Sequence, residues 1–310
     1  MAANVETMFY TREKPWHGLG TRVEVAPTSE DALRLAGLDW EVLQENVFTD
    51  LGEMIAGYKA NVRSTDRRVL GVVSDKYKIV QNKDAFKFTD ELLGEGVRYE
   101  TAGSLQEGKR VWLLARLPRE YIIGGERISP YLVFCNAHDG SGAVKVCVTP
   151  IRVVCSNTLN LALSTAKRSW SMVHTGDIQG KIQEAKDTLF MAEKYMDCLG
   201  QEIERLKEIK LTDEKVREYI EVLLPLEKDA TPLQKKNITK LREDMAARYF
   251  VAPDLQHVGN NAYRFINCVS DFATHSIPLR KTENYKENMF ARTIDGNPLI
   301  DRAYQLVCAV

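Results

Sequence analysis

Residues 130–155 read PYLVFCNAHDGSGAVKVCVTPIRVVC, and the fold turns on them. Two runs rich in Val, Phe, Tyr and Leu flank His138-Asp139-Gly140-Ser141-Gly142. β-Branched and aromatic side chains suit a pleated, half-buried surface, while Asp-Gly and Ser-Gly suit a tight turn. The stretch therefore predicts two strands joined by a hairpin turn. Upstream, VRYETAG (97–103) and KRVWLLARLP (109–118) are further strand candidates with short links. Strands connected mainly by tight turns give an antiparallel sheet, and the helical segments around them must cover it. The expected class is α+β, an antiparallel sheet covered by helices on one face. No Gly-rich phosphate loop or nucleophile elbow follows any strand, so no cofactor is implied.

Moving outward, MIAGYKANVR (54–63) and RRVLGVVSDKYKIVQ (67–81) alternate like strands across the turn-rich Ser64-Thr65-Asp66, which reads as a second hairpin. Ser29-Glu30-Asp31 suits the start of a short helix from Ser29 to Leu35. Asn82 reads as the N-cap of NKDAFKFTDELL, where Ala85, Phe86, Phe88, Leu92 and Leu93 make an apolar stripe that Gly94 and Gly96 end.

From Gly176 to about Leu211 the pattern changes. Ile178, Ile182, Ala185, Leu189, Ala192, Met196, Leu199, Ile203 and Leu206 recur at alternating steps of four and three, a heptad seam broken only by Gly200. It predicts a long helical arm or hairpin that pairs within the chain, with the helical segments 215–224 and 233–249, the latter opened by Thr231 and Pro232, or else an intermolecular coiled coil. An apolar helix at AYRFINCVSDFATH (262–275) and a last one at PLIDRAYQLVCAV (298–310) return to the core. The expected organisation is an N-terminal segment (1–53), an α+β core (54–175), the arm (176–250) and C-terminal helices (251–310).

Composition excludes several classes. Of 310 residues, 44% are hydrophobic and 27% charged, the balance of an ordinary water-soluble chain. No apolar run approaches the ~18 residues needed to span a bilayer, and the polar start resembles no targeting signal, so no membrane contact and a cytoplasmic setting are expected. Six scattered cysteines without close pairs argue against structural zinc and a disulfide scaffold. The net charge of -1 conceals one basic block: residues 97–175 hold 10 Lys/Arg against 5 Asp/Glu, or +5. Such a block is either a solvated face or an anion-binding surface.

That block contains the candidate site. Period-two alternation sets Lys145, Cys147 and Thr149 on one side of a strand and Val144, Val146 and Val148 on the other; Pro150 marks a bulge or edge. Beyond it, Arg152 precedes a helix start at Ser156-Asn157-Thr158, where free backbone N–H groups favour an anion. Arg152, Asn157 and Thr158 either grip a phosphate, or Arg152 pairs with an internal carboxylate and Asn157 only caps. Lys167 and Arg168 add charge, and Tyr77, Trp112 and Trp170 lie next to or near cations, as base-stacking platforms do, although the same residues are ordinary strand components. His138, Asp139 and His174 as metal ligands, or Cys155 with His174 as nucleophile and base, lack diagnostic spacing. Trp16-His17-Gly18-Leu19-Gly20 reads as a tight packing loop.

With PWHGLGTRV, VVSDKYKIVQNKDAFKFTDEL, GSLQEGKRVWLLARLP, NAHDGSGAVKVCVTPIRVVCSNTLNLAL, RSWSMVHTGDI and NAYRFINCVSDFATH assembled, the chain resembles the phage/plasmid-like protein family known as domain of unknown function family nine hundred and thirty-two. The resemblance covers most of residues 15–310. It implies occurrence in phages, plasmids and integrated elements and carries no established activity. A sheet with a basic strand, plus helices able to mediate assembly, is reminiscent of phage single-strand annealing proteins at the level of fold alone. The leading expectation is a non-enzymatic homo-oligomer that binds single-stranded DNA in replication or recombination of mobile DNA. The alternatives are a metal- or cysteine-dependent hydrolase at His138, Asp139, His174 or Cys155, and a host-interaction or anti-defence protein acting through the arm.

Overall fold

A computed structural model describes residues 5–11, 20–94, 98–117, 119–123, 125–152, 169–176, 180, 183–184, 192–276 and 297–309. In chain order the strands are β1 (Val5–Tyr10), β2 (Thr21–Arg22), β3 (Val42–Phe48), β4 (Met54–Arg63), β5 (Val69–Ser74), β6 (Arg98–Leu105), β7 (Arg110–Arg116), β8 (Tyr121–Ile123), β9 (Glu126–Ala137), β10 (Val144–Arg152) and β11 (Ser169–Met172). The α-helices among the described residues are α1 (Ser29–Leu35), α2 (Asn82–Leu93), α3 (Ala192–Glu208), α4 (Asp213–Leu223), α5 (Pro232–Phe250), α6 (Ala262–His275) and α7 (Pro298–Cys308), with a 3-10 turn at Pro253–Val258. The protein is α+β with a mostly antiparallel sheet, as the turn chemistry implied.

The chain divides into two compact units, the first formed by residues 1–119, 130–148 and 167–192, the second by 120–129, 149–166 and 193–310. In the first, sheet order runs β11-β10-β9-β7-β6-β1-β2, antiparallel wherever its described pairings show direction except for the parallel contact of β1 with β2. A separate sheet, β3-β4-β5, contains the expected hairpin of residues 54–63 and 69–74. The turn after β9 is built as its sequence demands: Asp139 Oδ1 accepts from the Ser141 amide at 2.9 Å and from its hydroxyl at 2.6 Å, and Gly140 takes φ +77°. Pro150 lies in β10 beyond Cys147, the last residue paired with β11, where no described β11 ladder needs its missing N–H.

One face of the large sheet carries Ala102, Val111, Leu113, Ala115, Leu132, Phe134, Val144, Val146 and Val148, which form a core with Ala32 and Ala36 of α1 and Ala85, Phe86 and Phe88 of α2. Cover is not confined to that face, as the one-sided arrangement would have it. Met8, Trp112, Val133 and Cys147, on the opposite parity, are buried as well. Gly103 shows how tight this side is, because a Cβ there would lie 2.3 Å from the Thr7 carbonyl oxygen and 2.6 Å from both Met8 and Trp112.

The second unit is a helical core onto which β8 and the start of β9 contribute Tyr121, Ile123 and Ile128. Part of the heptad seam lies here. In α3 the seam residues Met196, Leu199, Ile203 and Leu206, together with Tyr195, are buried among α4, α5, α6 and α7. They are core positions of a helical unit, and no long arm is seen among the described residues; most of 176–191 lies outside them. Gly200 fits where it stands, facing the Ile123 side chain across 3.8 Å. Helix α5 opens as read, with the Thr231 hydroxyl accepting from the Gln234 amide and Pro232 in the first turn.

Candidate functional site

Asn82 was expected to cap α2, but Gln81 occupies that position and Asn82 is buried. Its amide donates to the Leu38 carbonyl at 3.0 Å, and its Oδ1 meets His138 Nε2 at 3.0 Å. The extended run 77–82 organises everything nearby. The Tyr77 hydroxyl donates to the Ala137 carbonyl at 2.7 Å. Lys78 and His174 exchange bonds, the Lys78 amide donating to the His174 carbonyl at 2.7 Å and His174 Nδ1 meeting the Lys78 carbonyl at 2.9 Å. Asn136 Nδ2 donates to the Val80 carbonyl at 3.0 Å. Residues 78, 80 and 82 thus each meet one buried polar side chain: His174, Asn136 and His138 in turn. Rings complete the packing, with Tyr77 stacked on His174 at 4.3 Å and Trp40 edge-on to His138 at 5.4 Å. Asn61 of β4 donates to the His138 carbonyl at 2.7 Å, which ties the smaller sheet to the same corner.

Proton bookkeeping identifies the tautomers. Asn82 spends its N–H groups on carbonyls, so its Oδ1 faces His138 and the hydrogen lies on His138 Nε2. A carbonyl can only accept, so His174 carries its hydrogen on Nδ1. The other ring nitrogens, His138 Nδ1 and His174 Nε2, together with Asn136 Oδ1, are buried acceptors without a hydrogen-bond partner among the described residues. Burial, then repulsion from His174, lowers the His138 pKa to about 3, with Asp139 opposing weakly; burial also lowers that of His174, against the pull of the Lys78 carbonyl. Both imidazoles are neutral at pH 7. With His138 0% and His174 4% exposed, neither presents a base to solvent. No group of three or more His, Cys, Asp or Glu able to hold a metal occurs among the described residues. The arrangement clamps segment 77–82 and β9 together and accepts donors.

A charged cluster around the buried Arg63 lies in the same unit. Arg63 donates to both carboxylate oxygens of Glu6 at 2.9 Å and to Asp66 at 2.9 and 2.7 Å, and its guanidinium lies 5.5 Å from the Trp40 ring centroid. The Asp66 bond raises the arginine's pKa, and Arg63 in return holds Asp66 well below the usual carboxylate range.

The sequence-derived residues are distributed unevenly. Lys145 is half-buried on β10, opposite Ser171 of the edge strand β11, and Trp170 is half-buried opposite Val146, packed against the core. Arg152 ends β10, with its side chain outside the described residues, where Asn157, Thr158, Cys155, Lys167, Arg168 and residues 16–19 also lie. Tyr77 and Trp112 are 6% and 7% exposed, so their rings are spent on packing and are not open to a base. His138 and His174, named as possible ligands, do come together, while Asp139 turns its carboxylate to Ser141. Asn61, Arg63 and Asn136 were not anticipated, and Asn82 was read only as a cap. A signal existed for Asn136 and His138, because they continue the parity of the core residues Leu132 and Phe134. Polar residues in phase with a core row require buried partners.

A chain with one antiparallel sheet unit, locked by buried neutral histidines, and one helical unit is an α+β protein by architecture, with no reaction defined by its site. The chain belongs to the family described as a domain of unknown function, DUF932, whose model matches residues 69–293. No curated protein and no solved structure matches it.

Proposed function

We propose that this protein binds single-stranded nucleic acid without catalysing a reaction on it, acting in the cytoplasm in replication or recombination of mobile DNA. The observation that supports the reading is the basic block of the sequence, +5 over residues 97–175, which includes Lys145 on β10. Lys145 lies on β10 beside the edge strand β11, and Lys167 and Arg168 directly precede Ser169 in the chain. They belong to the +5 block, and Trp170 of β11 supplies the nearby ring. Cations along a strand edge suit a phosphate backbone, and an aromatic beside them suits a base of any identity. Arg152, Asn157 and Thr158 extend the phosphate contacts on sequence grounds. Tyr77 and Trp112 drop out of the stacking set. The hydrolase alternative loses support because its histidines are neutral, buried and committed to backbone and amide partners.

The test is binding of labelled single-stranded and duplex DNA across a salt series. Affinity should fall with log salt at a slope of roughly 0.7 per phosphate contacted. Lys145→Ala/Lys167→Ala/Arg168→Ala should weaken binding and flatten that slope. A salt-independent signal, or wild-type affinity in the triple variant, removes the proposal.

A further inference from the structure

Helix α5 is anchored by its second half. Met245 and Tyr249 are buried in the core of the helical unit, and Leu241, Ala246 and Phe250 pack against it, whereas residues 231–236, Thr239 and Lys240 are exposed. At about 100° of rotation per residue, Lys235, Lys236, Thr239 and Lys240 fall within one arc of about 140° that faces away from Met245 and Tyr249. Lys236 and Lys240 stand one turn apart on it, about 6 Å along the axis. Residues 230–242 contain Lys235, Lys236, Lys240 and Arg242 and no acid; Asp229 precedes the run and Glu243 closes it. Arg242 is already committed, its Nε donating to the Leu224 carbonyl at 3.0 Å and its guanidinium lying 3.6 Å from Glu221. The three lysines form no ion pair among the described residues, whereas Lys83, Lys207 and Lys215 each lie beside a carboxylate, of Glu41, Glu204 and Glu218 in turn. The result is an uncompensated cationic face on a helix fixed at its other end.

The make-up of the face selects its occupant. Protein–protein interfaces are depleted in Lys and anchored by aromatic side chains and Arg, and the arc holds neither. A helix lying on a membrane turns an apolar stripe to the lipid, but Leu241, Met245 and Tyr249 are spent on the core, which leaves Leu233 as the exposed large apolar side chain of α5. A phosphate backbone asks for less. Ammonium groups act on phosphate oxygens as point charges with rotatable donors, and a Thr hydroxyl is a common neutral partner of the same oxygens. With no ring to stack on, such a contact is independent of base sequence.

Resting on the reading of the protein as a nucleic-acid binder, we propose that the face of α5 formed by Lys235, Lys236, Thr239 and Lys240 is a phosphate-backbone contact surface, carried by the helical unit and separate from the cations of residues 97–175. Fluorescence anisotropy of labelled oligodeoxythymidylate with the full-length protein, across a salt series, is the experiment. Losing the three lysine contacts in Lys235→Gln/Lys236→Gln/Lys240→Gln should lower the log–log salt slope by roughly 2 and weaken binding at about 0.1 M salt by on the order of a hundredfold. All three side chains are exposed, so the melting temperature should match wild type. Lys235→Arg/Lys236→Arg/Lys240→Arg keeps the charge and should restore affinity, which a folding defect would not allow. Wild-type affinity and slope in the Gln variant overturn the proposal and leave the contacts of residues 97–175 standing. Loss in the Gln variant with wild-type binding by Lys145→Ala/Lys167→Ala/Arg168→Ala keeps the α5 surface and removes the other set, and a wild type that binds no oligonucleotide removes both. Phosphatidylserine vesicles and polyglutamate serve as the remaining arms: binding to either that the Gln variant loses, with oligonucleotide binding intact, assigns the face to a membrane or an acidic protein and overturns the proposal.

Discussion

Lowering the pH from 6.5 to 5 should destabilise the first unit through His138, by an amount the structure sets. In the unfolded chain the imidazole binds its proton near 6.5; in the fold, burial first and His174 second hold that pKa at about 3. The native state therefore refuses a proton that the unfolded state accepts. Stability is fully present above 6.5 and declines as pH falls towards about 3. One proton corresponds to about 1.4 kcal/mol per pH unit, so pH 5 costs about 2 kcal/mol from His138, and His174 acts in the same direction. The range above pH 5 keeps most carboxylate titration out of the measurement. Urea unfolding at pH 7, 6.5, 6, 5.5 and 5 should be read by amide exchange at residues 130–138, which isolates the first unit. The comparison is His138→Gln, which cannot titrate: its starting stability falls because the Asn82 contact and the Trp40 packing are disturbed, but its slope against pH should be shallower by one proton. Equal slopes in the two proteins, or an imidazole resonance of His138 that titrates near 6.5 in the native state, would refute the reasoning.

Two further perturbations test the packing around this corner. Gly103→Ala puts a methyl within 2.3 Å of the Thr7 carbonyl and 2.6 Å of Trp112, so β1 must move from β6; the expected loss is about 1–3 kcal/mol by urea unfolding, and a neutral outcome would mean the strand contact yields. Arg63→Met keeps the stem over Trp40 but leaves Glu6 and Asp66 without their shared cation; the melting temperature should fall, and the fall should shrink in Arg63→Met/Glu6→Gln when both are melted.

Much of the fold was legible because its determinants are local. The period of two in residues 144–148, the Asp-Gly turn and the Thr231-Pro232 helix start each act within a few residues, and each appears where it was read. The heptad seam left its partner open because a repeat of four and three records only that one helix face is apolar. Met196, Leu199, Ile203 and Leu206 would look the same against a coiled-coil partner as against α4 to α7 of one unit. Asn82 misled for a related reason. A polar residue ahead of an apolar helix is a cap when its side chain turns back on its own backbone, and a bridge when a distant acceptor or donor competes better. Here Leu38 and His138, 44 and 56 residues away in the chain, win.

The same logic bears on what the first unit can do. Asn136 and His138 sit in phase with Leu132 and Phe134, so the strand delivers them into the core whatever their polarity, and the fold satisfies them with the carbonyl of Val80 and the amide of Asn82. Each side chain is left with one unpartnered acceptor among the described residues, as is His174. An arrangement that holds the 77–82 segment by three acceptor-rich side chains is stable only while the imidazoles stay neutral. Chemistry requiring either histidine to gain a proton in each turnover would charge the interior of its own scaffold. The histidines therefore belong to the framework, and a functional surface has to be sought among groups that already face solvent.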